Sequence, residues 1–450
     1  MNRRAGVRIA AAVPLLLTLL VAAYPVAAQD WFKTGTGLGV SKPRVAVADF
    51  AARNPAAASQ PLATLFSDVV RNDLDYSGIL DLASKSFYPT QVPSVPAELN
   101  AAAWSGAPVM AQFLAFGNLT ANGNDLSIEA WFNDVNNPSA PPVVGRVYHG
   151  NATEAQTRQF AHQFADEIIA RLSGGIQGIA STQIAFVSQR SGNKEIWAMD
   201  YDGANQHELT SMHSIALTPR WSPDATRIAF TCYPTSGPVL SAQICMYSML
   251  TNRLISWPRY RGTNSAPAWS PDGLKVMFMS SMYGNPELFV ADADGGRPKR
   301  LTYAVGASTS PAWNPVTGQQ VAFVSDRGGV PQLYTMDVDG SDVQKVPLND
   351  MGYVIDPAWS PNGQLLAFSW RRPDGNYDIY VMDIVSHALL QLTRDAGRNE
   401  RPSWAPDGRH IVFESTRTGT RQIWSMLADG TNARELTTQG QNESGNWSKK

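Results

Sequence analysis

Pro219-Arg-Trp-Ser-Pro-Asp224, Pro267-Ala-Trp-Ser-Pro-Asp-Gly273, Pro357-Ala-Trp-Ser-Pro-Asn-Gly363 and Pro402-Ser-Trp-Ala-Pro-Asp-Gly408 are four versions of one phrase. Its tryptophan also recurs at Trp313 and Trp447, so that six Trp stand 43 to 48 residues apart. A short apolar strand pattern follows each of the first five: IAFTC from 228, VMFMS from 276, VAFVS from 321, LAFSW from 366 and IVFES from 411. A second strand pattern comes next, among them LFVAD from 288 and IYVMD from 379, then a turn and a Leu-Thr pair. Short strands at a period of about 45 residues are the pattern of propeller blades, not of stacked helix pairs. Pro-Asp-Gly and Asp-x-Asp-Gly supply the turn chemistry of a meander.

The phase of the repeats predicts how the ring closes. IAFVS at Ile184 has no Trp phrase before it, and Trp447 has no strand after it. The last residues therefore complete the blade that begins at 184, which leaves no unpaired end sheet. Six blades follow, and the six Trp are read as packing residues and not as a ligand box.

Upstream of the repeats the periodicity changes. Val45 to Phe50 is strand-like, and Leu62, Leu65, Phe66, Val69, Val70 and Leu74 recur at helical spacing. Phe113–Leu119, Leu126–Phe132 and Val143–Tyr148 read as strands. Thr153-Glu-Ala-Gln156 reads as a capping box, ahead of a helix face of Phe160, Phe164, Ile168 and Leu172 that ends at Ser173-Gly-Gly175. The expected architecture is a β-rich multidomain chain: a signal peptide at 1–28, an extended arm at 29–42, a small α/β domain at 43–175, and a six-bladed β-propeller at 176–450. The signal peptide rests on Arg3, Arg4 and Arg8, the apolar run Ile9–Ala23, and small residues before Gln29. The competing reading is a membrane anchor, for which the run falls short of the ~20 residues that span a bilayer.

Composition excludes other classes. In 450 residues, 36 Lys and Arg face 38 Asp and Glu for a net charge of −2, so no basic surface points to nucleic acid. No G-x-S-x-G elbow of a serine hydrolase occurs. The six His, at 149, 162, 207, 213, 387 and 410, show no metal-ligand spacing and are expected at the surface or in loops. The Asp-x-Asp-Gly runs lack the further oxygen ligands of a calcium loop and are read as tight turns. No cofactor and no metal are expected. Cys232 and Cys245 fall in adjacent strands of one repeat, as a disulfide in an oxidising compartment or as two buried thiols.

The repeat phrases, the domain order and the export signal together resemble the periplasmic TolB family of the Tol-Pal system, over nearly the whole mature chain. That resemblance implies a non-enzymatic monomeric scaffold in the periplasm. The propeller face would bind the peptidoglycan-associated lipoprotein, Pal, and the arm would serve TolA, in support of outer-membrane integrity and constriction at division. Colicins are implied as exploiters of the system. By resemblance the Pal contacts are Thr263, Asn264, Ser265, Ala266, Thr309, Ser310, Ile355, Asp356, Glu400 and Arg401, in the loops just before the Trp phrases, which are expected to reach one rim of the central channel. The arm candidates for TolA are Gln29, Asp30, Trp31, Phe32 and Lys33, which either engage a partner or pack on the protein's own domains. Two alternatives compete with it. A propeller glycosidase or lyase would need paired carboxylates at the channel mouth, for which Asp356 and Glu400 are the pre-Trp acids. A small-molecule sensor would need an effector module.

Overall fold

The computed structural model describes residues 42–53, 59–348 and 352–449. The signal-peptide and arm expectations, with Gln29 to Lys33 among them, lie outside the described residues.

Residues from 43 onward build a mixed sheet. Arg44–Val47 pairs in parallel with Asp81–Leu82 on one side and with Phe113–Asn122 on the other. Asp125–Asp134 and Val144–Asn151 continue the sheet antiparallel. The first strand is shorter than its sequence suggests: pairing stops at Val47 and resumes at Ala51–Ala52. The helices Ser59–Tyr76 and Glu154–Leu172 cover one face and bury Phe66, Val70, Phe164 and Ile168 against Val45, Val47 and Ile128. On the other face Trp104 packs with Ala46, Leu114 and Phe116. Thr153 caps the second long helix through the Gln156 N–H, but the Gln156 side chain donates onward to Gln159. Only half of the expected capping box therefore forms.

The propeller follows as six four-stranded sheets. Blades one to five begin at Ala216, Asn264, Ser308, Val354 and Asn399. In the closing blade Asn442–Trp447 is the innermost strand and lies beside Gln183–Ser188, so the two ends of the propeller sequence meet in one sheet. One correction concerns the Trp phrase. Its start is not a loop ahead of a strand but the innermost strand itself, as in Ala216–Trp221 and Asn264–Trp269.

Each signature has a job in this geometry. The indole N–H of Trp269 donates to Arg220 O, that of Trp359 to Ala312 O and that of Trp404 to Ala358 O, always on the preceding blade. The Thr of each Leu-Thr pair accepts the main-chain N–H of the third strand, at 2.9 Å for Thr210, Thr302, Thr393 and Thr437. Its hydroxyl then donates to an acid or amide that opens that strand: Glu195, Glu287, Asp378 or Gln422. The glycine of the Asp-x-Asp-Gly turn has φ between +86° and +96° at Gly203, Gly295 and Gly340. A Cβ on Gly340 would stand 2.4 Å from Leu301 O, so the turn is both left-handed and pressed on its neighbour.

Cys232 and Cys245 are joined in a disulfide with Cα atoms 5.8 Å apart. They sit diagonally, since Cys232 pairs with Gln243 and Cys245 with Phe230. The closed loop spans 13 positions, so reduction, or Cys232→Ser with Cys245→Ser, is expected to lower stability by about 2–3 kcal/mol. Urea unfolding with and without reductant measures it.

Candidate functional site

The innermost strands enclose a cavity of about 470 Å³ on the ring axis. Every one of these strands carries the same irregularity. Opposite its neighbour it has one residue too many, between Leu217 and Arg220, Ser265 and Ala268, Thr309 and Ala312, Ile355 and Ala358, Glu400 and Ser403, and Glu443 and Asn446. Such a bulge leaves one residue unpaired. In five blades a proline follows the bulge residue, and proline has no N–H to leave unbonded. The residue before it adopts a left-handed conformation: Thr218, Ala266, Ser310, Asp356, Arg401 and Ser444 all have φ between +49° and +57°. Five of these six non-glycine residues, all but the buried Ser444, line the cavity, and such strained positions cluster at functional sites.

The bulges are clamped between blades. The N–H of Ala266 donates to Thr231 Oγ1, that of Arg401 to Ser369 Oγ and that of Ser444 to Glu414 Oε2. These three acceptors occupy the same place in the second strands of blades one, four and five.

Of the expected contact residues, Ala266, Ser310, Asp356 and Arg401 line the cavity. Thr263, Asn264, Ser265, Thr309, Ile355 and Glu400 do not. Asn264 is fully buried and its amide donates to Gln243, Tyr260 O and Gly262 O, which makes it a lock of the fold. Glu400 is buried against Arg398. The two acids of the enzyme alternative are thus not presented together at the cavity. Thr218 and Arg220, absent from the expectation, do line it. The six Trp edge the cavity as well as packing the blades.

The cavity wall is electrostatically uneven. On blades two and three Ala266 and Ser310 leave it neutral. Arg220, Asp356 and Arg401 meet across the rest of the ring. Burial lowers Arg220 to about 10, against the pull of Asp356. Burial pushes the Asp356 carboxyl up, while Arg401 and Arg220 hold it back. Arg401 also donates to Glu414 at 3.0 Å. Behind it Glu443 accepts from Lys194 at 2.5 Å and from Arg421 at 2.7 Å, and these partners outweigh its burial and keep its carboxyl low.

The described contacts of the α/β domain with the ring gather on the turns at the other end of the inner strands. Tyr76 inserts among Ile184, Phe186, Val412 and Trp447, and its hydroxyl donates to Ser425 at 2.6 Å. His410 donates from Nε2 to Tyr76 O at 2.8 Å and from Nδ1 to Asp407 at 2.7 Å. His162 donates to Asp73, and so does the Tyr201 hydroxyl. The surface expectation for histidine therefore fails at two of six sites: His162 and His410 are buried between the domains. No spacing marks their burial, because Asp73 lies 89 positions from His162 and Tyr76 lies 334 positions from His410.

Residues 36–140 match the TolB amino-terminal domain model, and residues 171–355 and 348–450 match the TolB beta propeller domain model. The chain belongs to the TolB family. Tol-Pal system protein TolB of Bordetella pertussis is 30% identical over 421 residues, 93% of this chain and 91% of that protein. The TolB homolog of Chlorobium chlorochromatii is 32% identical over 258 residues, 57% of this chain, and the match spans little more than half of that relative, 56%. The crystal structure of TolB from Acinetobacter baumannii superimposes with a TM-score of 0.76 at 24% identity, over 91% of this chain and 97% of that one, and shares the fold. TolB is a non-enzymatic family, and this TolB member is a component of the Tol-Pal system.

Proposed function

We propose that this chain is a non-enzymatic periplasmic scaffold of the Tol-Pal system that binds Pal at the cavity mouth and TolA through the arm at 29–42. In this reading residues 1–28 are removed before Gln29, the α/β domain spans 43–175 and the propeller 176–450. The scaffold supports outer-membrane integrity and constriction at division, and colicins exploit it. The observation that carries the reading is the set of five left-handed bulge residues that line one end of a channel whose other end holds the α/β domain. A rigid concave face with one neutral and one charged side favours a protein loop over a small substrate. Relatives of matching length bear the Tol-Pal name, which supports the same assignment.

The test is calorimetric titration with the soluble domain of Pal from the same organism. Saturable one-to-one binding is expected, and Ala266→Asp should weaken it at least about tenfold by placing a charge in the desolvated centre of the contact. Aspartate tolerates the left-handed backbone, so the fold should survive. Absence of binding at tens of micromolar overturns the Pal assignment.

A further inference from the structure

The Asp-x-Asp-Gly turn of the closing blade differs from its counterparts. In blade two Asp292 pairs with Arg297 of its own turn, and in blade three Asp337 and Asp339 both accept from the Ser341 hydroxyl of theirs. In the closing blade Asp200 and Asp202 face helix Glu154–Leu172 of the α/β domain. A ring nitrogen of His162 and carboxylate oxygens of Asp200 and Asp202 lie within 4.8 Å of one another. The His162 side chain is only 5% exposed. Its Nδ1–H donates to Asp73 Oδ2 at 2.8 Å, and the Tyr201 hydroxyl holds the other oxygen of Asp73 at 2.7 Å. Nε2 is buried and has no hydrogen-bond partner among the described residues. Buried polar atoms are nearly always bonded, so this nitrogen calls for a ligand. With Nδ1 engaged by Asp73, Nε2 is the atom free to face the two carboxylates.

We infer that His162, Asp200 and Asp202 form a divalent transition-metal site of the zinc type across the domain interface. One imidazole nitrogen and two carboxylates suit zinc, whereas calcium and magnesium take oxygen ligands. Asp73 is the outer partner that such a histidine needs: it fixes the tautomer and the ring orientation. Ligand atoms around tetrahedral zinc stand roughly 3.3–3.6 Å apart, given bonds of about 2.0–2.2 Å, so the three groups close by about 1 Å on binding. Arg158 bonds to Asp202 and neutralises it when no ion is bound; the dication displaces that guanidinium. Asn205 Nδ2 and Ala204 N–H, which donate to Asp200 and Asp202, keep both carboxylates in place. A bound ion would tie helix Glu154–Leu172 to the closing blade and fix the angle between the domains.

The untagged chain, stripped with a chelator, is titrated with Zn²⁺ by calorimetry and with Co²⁺ by visible absorption. One ion per chain with micromolar affinity is expected, with cobalt ligand-field bands and a thermal midpoint that rises with zinc. Asp200→Asn with Asp202→Asn, at positions that are not fully buried, should cost at least tenfold in affinity while leaving the circular dichroism unchanged. Asp73→Asn should cost about 10–100-fold without touching a ligand. His162→Gln should abolish the cobalt bands. Failure to bind either ion at 100 µM, or an affinity unchanged in the double aspartate variant, overturns the site.

Discussion

A chain ending at Gln441 is expected to have no cooperative unfolding transition for its propeller. The residues removed include the innermost strand of the closing blade, paired to Ile184, Ala185, Val187 and Ser188. Without it the apolar edge of Gln183–Ser188 faces solvent as an unpaired strand, a template for aggregation. The loss spreads to both neighbouring blades, because Asn446 Oδ1 accepts the Trp221 N–H and Ser403 Oγ accepts the Trp447 N–H. The milder variant Trp447→Ala should fold but lose about 3–5 kcal/mol, since this indole is 4% exposed and donates to Thr182 at 2.7 Å. Differential scanning calorimetry and gel filtration separate the outcomes. A truncated chain that stays monomeric with a near-native transition would show that the ring does not depend on its closing strand.

Asp407→Ala is expected to cost about 3–5 kcal/mol, the usual penalty for breaking a buried charge pair from one side. Asp407 faces His410 at 2.7 Å and Arg409 at 3.4 Å, and all three are buried beneath Tyr76. Burial pushes the Asp407 carboxyl up, but the charge and hydrogen bond of His410, then Arg409, hold it down to about 2, from 3.8 in the unfolded chain. A carboxyl lowered on folding stabilises above its unfolded value and loses that contribution as pH falls towards the folded one. About 2 kcal/mol should therefore drain away between pH 4 and pH 2. Urea unfolding of the wild type should show this drop, and Asp407→Asn should show a flatter profile over the same window. Identical acid profiles would mean that Asp407 titrates alike in both states. Because His410 also donates to Tyr76 O, the Ala variant should loosen the α/β domain from the ring and speed proteolysis at the surface connection Ser173–Gly175.

The two variants probe features of unequal legibility. Blade number, blade length and the closing role of Trp447 could be read from the repeats, because every blade repeats one packing problem and solves it with the same residues. Leu-Thr and Asp-x-Asp-Gly recur for that reason: each completes hydrogen bonds that every blade leaves open at the same place. The inner strand was less legible. Its prolines and its bulge break the two-residue alternation by which a strand announces itself, so Ala216–Trp221 and its counterparts read as loops. The folded ring sorts the contact residues assigned by resemblance: Ala266, Ser310, Asp356 and Arg401 reach the cavity, while Asn264 and Glu400 turn into the fold.

The pattern of apolar spacing and turn residues was enough to specify a small α/β domain followed by a closed six-bladed ring, because local periodicity and repetition are properties of neighbouring residues. The charged wall of Arg220, Asp356 and Arg401, the buried His410–Asp407 pair and the meeting of His162 with Asp200 and Asp202 belong to the folded molecule alone. The wall and the His162 cluster join segments tens to hundreds of positions apart, and the His410–Asp407 pair, local in sequence, is buried only because Tyr76 of the α/β domain, 334 positions away, docks on it. No periodicity along the chain encodes such a meeting, since it depends on where two separately folded surfaces touch.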